Sequence, residues 1–553
     1  INHDSGDKYK KKVLARQSYS NTYIKAKRGT ILDCNNIAMA KSIRVYDMVL
    51  APDAILFKDD YLEPTVRAIV ETFNIDEEKL RKLILENKTS QYAPVVDGKE
   101  LDANTVKEFK NLMSENSKIK GVYFEEGFIR NYPLSTVASD VLGTMNTSTG
   151  AETYFSTYLN GTDGRTFGYF DSDMSLERNV KDAINGNDIV LTLDSNVQKI
   201  TEEKIAEFCE KTGCENLGVI IMDPSDSSVL AMASNGSYDL NDAQNLEKLY
   251  SKEQIKSMTT QEKSDALYSI WNNFCISYGY EPGSTFKPFT IAAALEEGST
   301  RDSSTFECNA KTTVLDRTIR CANSVKHGHE TLEDAVANSC NIALTKIGLS
   351  LGRSNFYKYN VLFGFGKKTG IDLADEGTGI IHTKEGLNPV ELATSSFGQT
   401  QTVTMIQMMS AFCSVINGGQ YYKPHVLKEI RNASGDVIEK YQAIPQRQTV
   451  SKETSALLRK YMLQTVEGGT AKDIKMKGYK IAGKTGTAEK RPISENNYLV
   501  SFIGFTPADN PKVAFYVVID QPHVKDQSHS SYATKFAKNL MKEVLPFLGV
   551  YKK

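Results

Sequence analysis

The chain has 553 residues, 40% hydrophobic and 24% charged, a balance that excludes disordered, collagen-like and coiled-coil classes. Its 66 Lys plus Arg against 68 Asp plus Glu give a net charge of -2, so no general basic field is present and nucleic acid is not an expected partner. At roughly 150 residues per domain the length allows about three to four domains. No stretch reaches the ~18 apolar residues of a membrane span. The chain begins at Ile1 rather than Met and reads as a fragment of a longer product, with an N-terminal signal or anchor expected ahead of it.

Residues 1 to about 27 are polar and Lys-rich, as in a solvated arm. From Arg28 to Met48 short β-type runs flank an Asp-Cys-Asn-Asn turn, which predicts a hairpin. Charged amphipathic helices are predicted over Asp76 to Glu86 and Asn104 to Asn116, and nothing in this first third converges on chemistry. It has the look of a spacer or docking module.

After the turn at Asn185-Gly186-Asn187-Asp188, the strand IVLTLD and a helix from Ser195 to Lys211, capped by Asp194 or Ser195, open a second domain. The strands GVIIMD and VLAMAS, joined through Pro224-Ser225-Asp226, predict another hairpin, and Leu240 to Thr260 reads as a polar inserted loop. A helix over Val403 to Val415 and a strand over Val513 to Asp520 complete a mixed α/β or α+β pattern.

In EPGSTFKPF, Ser284 opens a predicted helix running through Ala292 to Ala294, and Lys287 follows three residues later on the same face. A serine hydroxyl is a weak nucleophile until a base takes its proton, and a lysine amine serves if burial and a neighbouring cation keep it neutral. Two further elements stand in order behind this pair: Ser339-Cys340-Asn341 and Lys484-Thr485-Gly486-Thr487. Together the three match the S-x-x-K, S-D-N and K-T-G signature of penicillin-binding proteins and serine β-lactamases, with Cys340 in the variable middle position.

The chain therefore resembles the class B penicillin-binding proteins, monofunctional peptidoglycan transpeptidases. The likeness includes Arg28 to Asp33, Arg130-Asn131-Tyr132-Pro133, Gly150-Ala151-Glu152, Phe397-Gly398-Gln399 and Asn417-Gly418-Gly419. It implies an elongated N-terminal pedestal or dimerisation-type domain over 1–185, then a transpeptidase domain over 186–553 with a mainly antiparallel sheet flanked by helices. It implies that Ser284 attacks the penultimate D-alanine carbonyl of a stem peptide, with Lys287 as base, Ser339 as proton relay and Asn341 as orienter. Lys484 would help keep Lys287 neutral, Thr485 and Thr487 would bind the substrate carboxylate, and Gly486 would let a strand edge approach. The backbone N–H groups of Ser284 and Thr487 would form an oxyanion hole.

β-Lactams would acylate Ser284. Lys384-Glu385-Gly386-Leu387-Asn388 is one residue short of the E-x-x-L-N loop of class A β-lactamases, so Glu385 reads as an ordinary loop carboxylate. The resemblance also implies a SEDS-type membrane polymerase as partner and a place at the extracytoplasmic face of the cell membrane. A non-enzymatic β-lactam sensor or scaffold is the alternative of another class, and a D,D-carboxypeptidase is a third; the intact motif residues argue against the first and the pedestal against the second.

No cofactor is expected for catalysis. Cys308, Cys321 and the His327-Gly328-His329 run offer two thiolates and an imidazole within about 20 residues, enough for a structural Zn²⁺ site, although a Cys308–Cys321 disulfide or free buried thiols fit the same spacing. Similarity to class B proteins of anaerobic Firmicutes that carry zinc in this segment favours Cys308, Cys321 and His327, with Asp302 as fourth ligand ahead of His329. Cys275, Cys340 and Cys413 read as small buried hydrophobes. His3, His382, His425, His523 and His529 show no ligand spacing.

Overall fold

The computed structural model describes residues 22–170, 176–247 and 249–553. Most of the expected N-terminal arm, residues 1–21, lies outside them. The expected hairpin forms from β1 (Ile31–Leu32) and β2 (Ala38–Leu50). β2 then pairs antiparallel with β3 (Val122–Asn131) from Lys41↔Asn131 to Leu50↔Val122. Helices α1 (Leu62–Phe73), α2 (Glu77–Glu86) and α3 (Ala103–Glu115) cover this ribbon. Asp76 and Asp102 cap α2 and α3 through side-chain bonds to backbone N–H groups, which sets both starts within one residue of the expected Asp76 and Asn104. Met48, Leu50, Val66, Ile69 and Phe109 form a small core of their own here.

The expected boundary at 185/186 falls in irregular chain just before the next strand. β4 (Asp188–Leu191) pairs parallel with β1, Ile31 opposite Ile189, and antiparallel with β7 (Leu427–Arg431) far along the chain. Just after it, α4 (Ser195–Lys211) begins with Asp194 as its cap. Buried Asp33 of the hairpin turn accepts from the Ser195 hydroxyl at 2.6 Å and backbone N–H at 3.1 Å, where the positive end of the helix favours an anion.

The second domain is organised by a five-stranded antiparallel sheet in the order β6-β5-β10-β9-β8, made of β5 (Cys214–Met222), β6 (Val229–Ser234), β8 (Ala482–Glu489), β9 (Tyr498–Thr506) and β10 (Val513–Pro522). Side chains alternate between faces with period two. On β10, Val513, Phe515, Val517 and Ile519 enter one core with α4 and α9 (Ser531–Val544), whereas Ala514, Tyr516 and Val518 enter the other. That second core holds α5 (Lys287–Glu296) and the fully buried α8 (Met405–Ile416). Burial on both faces explains why these strands read as continuous apolar runs.

The polar stretch Leu240 to Thr260 is not a plain loop. It carries a helix at Lys252–Ser257 started by a Ser251/Gln254 capping box, and Thr259/Glu262 forms a second box at the start of Thr260–Trp271. Among the described residues no helix is long and apolar enough to cross a membrane.

A buried ion cluster ties together distant parts of the N-terminal domain. The Glu152 carboxylate, with its side chain 0% exposed, takes the Arg28 guanidinium at 2.6 Å and Arg130 Nε at 2.6 Å. Arg130 Nη1 also donates to the Gly29 carbonyl at 2.7 Å. Three separate sequence motifs thus meet in one knot, two guanidinium groups sharing a single carboxylate. Removing one partner strands the others without water. Glu152→Ala is expected to lower stability by about 3–5 kcal/mol in denaturant titrations that follow the pedestal.

Candidate active site

Gly283–Phe286 form a 3₁₀ turn and Lys287 begins the regular helix α5, so the single helix predicted from Ser284 starts one turn tighter than expected. In a 3₁₀ turn residues three apart eclipse. Ser284 and Lys287 therefore share a face, Ser284 partly exposed and Lys287 buried. Gly283 has φ +56°, and a Cβ there would lie 2.5 Å from the Thr487 carbonyl oxygen. A Cβ at Gly486 would lie 2.3 Å from Ser501 Oγ and 2.9 Å from Thr285 Cγ2. Glycine at both positions lets the nucleophile turn rest directly on β8.

The second element lies between α6 (Leu332–Ala337) and α7 (Asn341–Phe363). Ser339 adopts φ 57°, unusual for a residue with a side chain. The turn is held there by bonds from Ser339 N–H to the Val336 carbonyl at 3.1 Å and from Cys340 N–H to the Ala335 carbonyl at 2.9 Å.

Lys287 Nζ donates to the Ser339 carbonyl at 2.6 Å and Asn341 Oδ1 at 2.7 Å, and stands 3.0 Å from Ser339 Oγ. From the opposite side Lys484 Nζ lies 2.8 Å from the same hydroxyl and donates to the Thr485 carbonyl at 3.1 Å. Asn341 is oriented in turn by its amide, which donates to the Arg320 carbonyl at 2.9 Å. Thr485 Oγ1 is 2.9 Å from Thr470 Oγ1, and the half-buried Thr487 hydroxyl donates to the Ser528 carbonyl at 3.3 Å. All eight residues expected to act or bind, Ser284, Lys287, Ser339, Asn341, Lys484, Thr485, Gly486 and Thr487, thus lie on the nucleophile turn, the Ser339 turn and β8.

Burial pushes the Lys287 ammonium down to about 8, opposed by the negative pull of Cys340, Cys321 and Glu330. Lys484 is also driven well down, first by burial and then by the charge of Lys287. The expectation that Lys484 keeps Lys287 neutral thus changes emphasis: removal from water dominates for both amines.

Behind the Ser339 turn, Cys308, Cys321, His327 and Cys340 hold ligand atoms within 4.8 Å of one another. Cys308 Sγ lies 3.7 Å from Cys321 Sγ and 3.4 Å from His327 Nδ1, and Cys321 Sγ lies 3.7 Å from Cys340 Sγ. Such a Cys₃His group is a donor set that could hold a metal. The two candidate disulfide sulfurs are unbonded, since a disulfide needs about 2.05 Å.

Asp302 is corrected as the fourth member. Its carboxylate accepts from the Tyr461 hydroxyl at 2.5 Å, and the fourth donor is Cys340. His329 is exposed and faces Glu307. Cys340, read from sequence as a small hydrophobe, also caps α7, its sulfur accepting from Ala343 N–H at 3.4 Å. The signal for it was present in the middle letter of the Ser-Cys-Asn motif. Glu330 carried no such signal; it is buried, with Oε1 accepting from the Asn338 amide at 2.9 Å and Oε2 3.7 Å from His327 Nδ1. Glu385 lies in an exposed turn, His425 is buried against Tyr441, and His3 lies outside the described residues.

Residues 217–542 match the family described as penicillin binding protein transpeptidase domain, and residues 23–152 match the penicillin-binding protein dimerisation domain. The chain is 34% identical over 556 aligned residues to stage V sporulation protein D of Bacillus subtilis (strain 168), covering 97% of this chain and 81% of that one. It is 26% identical to peptidoglycan D,D-transpeptidase FtsI of Buchnera aphidicola subsp. Schizaphis graminum, covering 94% of this chain and 86% of that one. The fold is similar to that of penicillin binding protein 2X from Streptococcus thermophilus, with a TM-score of 0.77 and 23% identity over 96% of this chain and 81% of that one. With two catalytic-type lysines converging on one serine hydroxyl beside the Ser284 turn, and with both family domains matched in order, the chain belongs to the class B penicillin-binding proteins, serine-type peptidoglycan D,D-transpeptidases that are targets of β-lactams.

Proposed function

We infer that Ser284 is the acylated residue and that Lys287, Ser339 and Lys484 form its proton-handling group. The observation that carries this reading is the Ser339 hydroxyl set 3.0 Å from Lys287 Nζ and 2.8 Å from Lys484 Nζ. A neutral amine has two N–H bonds, and the carbonyl oxygens of Ser339 and Asn341 occupy both around Lys287. Its lone pair, which also faces the Ser339 hydroxyl, takes the Ser284 proton as the Ser284 oxygen attacks the D-alanyl carbonyl. Ser339 passes its proton to the departing D-alanine amine and is reprotonated by Lys287, which carries the proton taken from Ser284, while Lys484 steadies the same oxygen. The Ser284 and Thr487 backbone N–H groups receive the developing oxyanion, a role supported by the contact between the nucleophile turn and β8. Thr485, Thr487 and Lys484 bind the terminal carboxylate, and Gly486 keeps that edge open. An amine of a second stem peptide then attacks the acyl-enzyme.

The Cys₃His group takes Zn²⁺ as a structural ion. Tetrahedral zinc with Zn–S of about 2.3 Å and Zn–N of about 2.0–2.1 Å sets sulfurs about 3.8 Å apart and sulfur and nitrogen about 3.6 Å apart. Three of the six donor separations here are 3.7, 3.4 and 3.7 Å, and the other three lie within 4.8 Å. The ion would supply fixed geometry, not hydrolytic chemistry. The pedestal is the docking surface for a SEDS-type membrane polymerase, and an N-terminal anchor holds the protein at the outer face of the membrane. Similarity to the sporulation protein of Bacillus subtilis supports a role in spore wall synthesis.

Incubation with a fluorescent penicillin is expected to label the protein stably and stoichiometrically, and Ser284→Ala is expected to lower the rate by roughly 10³-fold or more, read by denaturing gel and intact mass. Absence of labelling in the unmutated protein would favour the scaffold reading, and fast label turnover a β-lactamase. Because Lys287 must be neutral to act and titrates at about 8, the acylation rate is expected to rise about tenfold per pH unit below that value and level off above it, as stopped-flow measurements across pH would show. Elemental analysis is expected to find zinc in the purified protein. Cys340→Ser is expected to weaken its retention at least about tenfold against a chelator, with a drop in melting temperature.

A further inference from the structure

Three cysteines outside the Cys₃His group stand alone, whereas Cys209 and Cys214 face each other with Sγ atoms 3.7 Å apart. Cys209 lies in the last turn of α4, and Cys214 is the first residue of β5. Between them Gly213 has φ +74°, which folds the chain back sharply enough to set the second thiol over the first. Both backbones are anchored. Thr212 N–H donates to the Phe208 carbonyl at 2.8 Å, closing α4, and Cys214 enters the ladder opposite Pro522 while His523 N–H donates to the Gly213 carbonyl at 2.9 Å. Both cysteines are half-buried, so a small reagent reaches them.

We propose that Cys209 and Cys214 form a reversible disulfide staple across the α4–β5 turn, made by thiol–disulfide exchange with a low-molecular-weight or protein disulfide. The two sulfurs, 3.7 Å apart, close to the bonding distance of about 2.05 Å when the bond forms. The Cys209 thiolate attacks one sulfur of the external disulfide and expels the other as a thiolate. The Cys214 thiolate then attacks the Cys209 sulfur of the mixed disulfide and expels the second. The chain's two thiols lose two electrons and two protons, and the external disulfide is reduced to two thiols. The two thiols share one hydrogen bond, so deprotonation of either leaves a thiolate held by its neighbour, and Cys209 is taken as the first attacker. The negative end of α4 disfavours a thiolate at Cys209, which suits a structural staple better than a fast catalytic dithiol.

The test uses the full chain with its metal group intact, equilibrated in glutathione buffers from reduced to oxidised, alkylated, and digested with trypsin without reductant. Cleavage after Lys204, Lys211 and Lys248 puts the two cysteines on different peptides, 205–211 and 212–248. The expected result is that these two peptides run as one species from oxidised buffer and separate on reduction, while Cys214→Ser stops at a glutathione adduct on Cys209. The oxidised protein is expected to melt a few degrees higher than the reduced one, a difference that Cys209→Ser/Cys214→Ser abolishes. The proposal is overturned if both thiols remain alkylatable in oxidised buffer, if each carries its own glutathione, or if Cys209 is joined to a different cysteine.

Discussion

Everything in the second domain turns on one hydroxyl placed between two buried amines. An isolated buried ammonium is costly, and two side by side are costlier, because each disfavours the charge of the other. The fold meets this by giving Lys287 two carbonyl acceptors and Lys484 one, with Ser339 Oγ shared between them. A single mobile proton then belongs to the group more than to any member. Such an arrangement holds only if three remote pieces of chain are fixed to within a few tenths of an ångström, and the surrounding architecture accomplishes that.

The sheet provides the fixed side. β8 is an edge strand whose neighbour β9 pairs with it in unbroken register from Ala482↔Phe505 to Glu489↔Tyr498, and β9 is locked in turn by β10. Against that edge the nucleophile turn is pressed by two glycines. The third piece, the Ser339 turn, is held in a left-handed conformation that would not persist without its flanking helices. Strain is therefore concentrated at the residue whose hydroxyl must sit between the lysines, and the cost is carried by packing of α6 and α7 into the main core.

How much of this can be read from sequence depends on the range of the interaction. Ser284, Lys287, Ser339, Asn341 and the Lys484 run are legible because each motif is short and its chemistry admits few substitutes. The helices at 77–86, 103–115 and 195–211 are legible because Asp76, Asp102 and Asp194 mark their starts locally. The helix at Lys252–Ser257 carried an equally local mark in Ser251 and Gln254, hidden by the polar character of the stretch around it. The parallel pairing of Ile31 with Ile189 had no local mark at all, since it depends on where two distant segments meet. Asp302 misled for the opposite reason. It is close in sequence to Cys308, yet its carboxylate is taken by Tyr461, 159 positions away.

Cys340 shows why proximity in space and not in sequence decides the chemistry. It lies between Ser339 and Asn341, caps α7 with its sulfur, and completes a four-donor group with a loop that also supplies the Arg320 carbonyl to Asn341. One turn of backbone thus belongs to two sites. A metal held by the Cys₃His group would fix Cys340, and through it the two residues on either side whose oxygens contact Lys287 at 2.6 to 3.0 Å. Since hydrogen bonds and proton transfers of that length are sensitive to displacements well under 1 Å, loosening the group behind the turn acts on Ser284 chemistry without touching any reacting atom. The effect of such loosening falls on the rate of acylation, through the position of Lys287, before it falls on the fold of the sheet that carries the other half of the site.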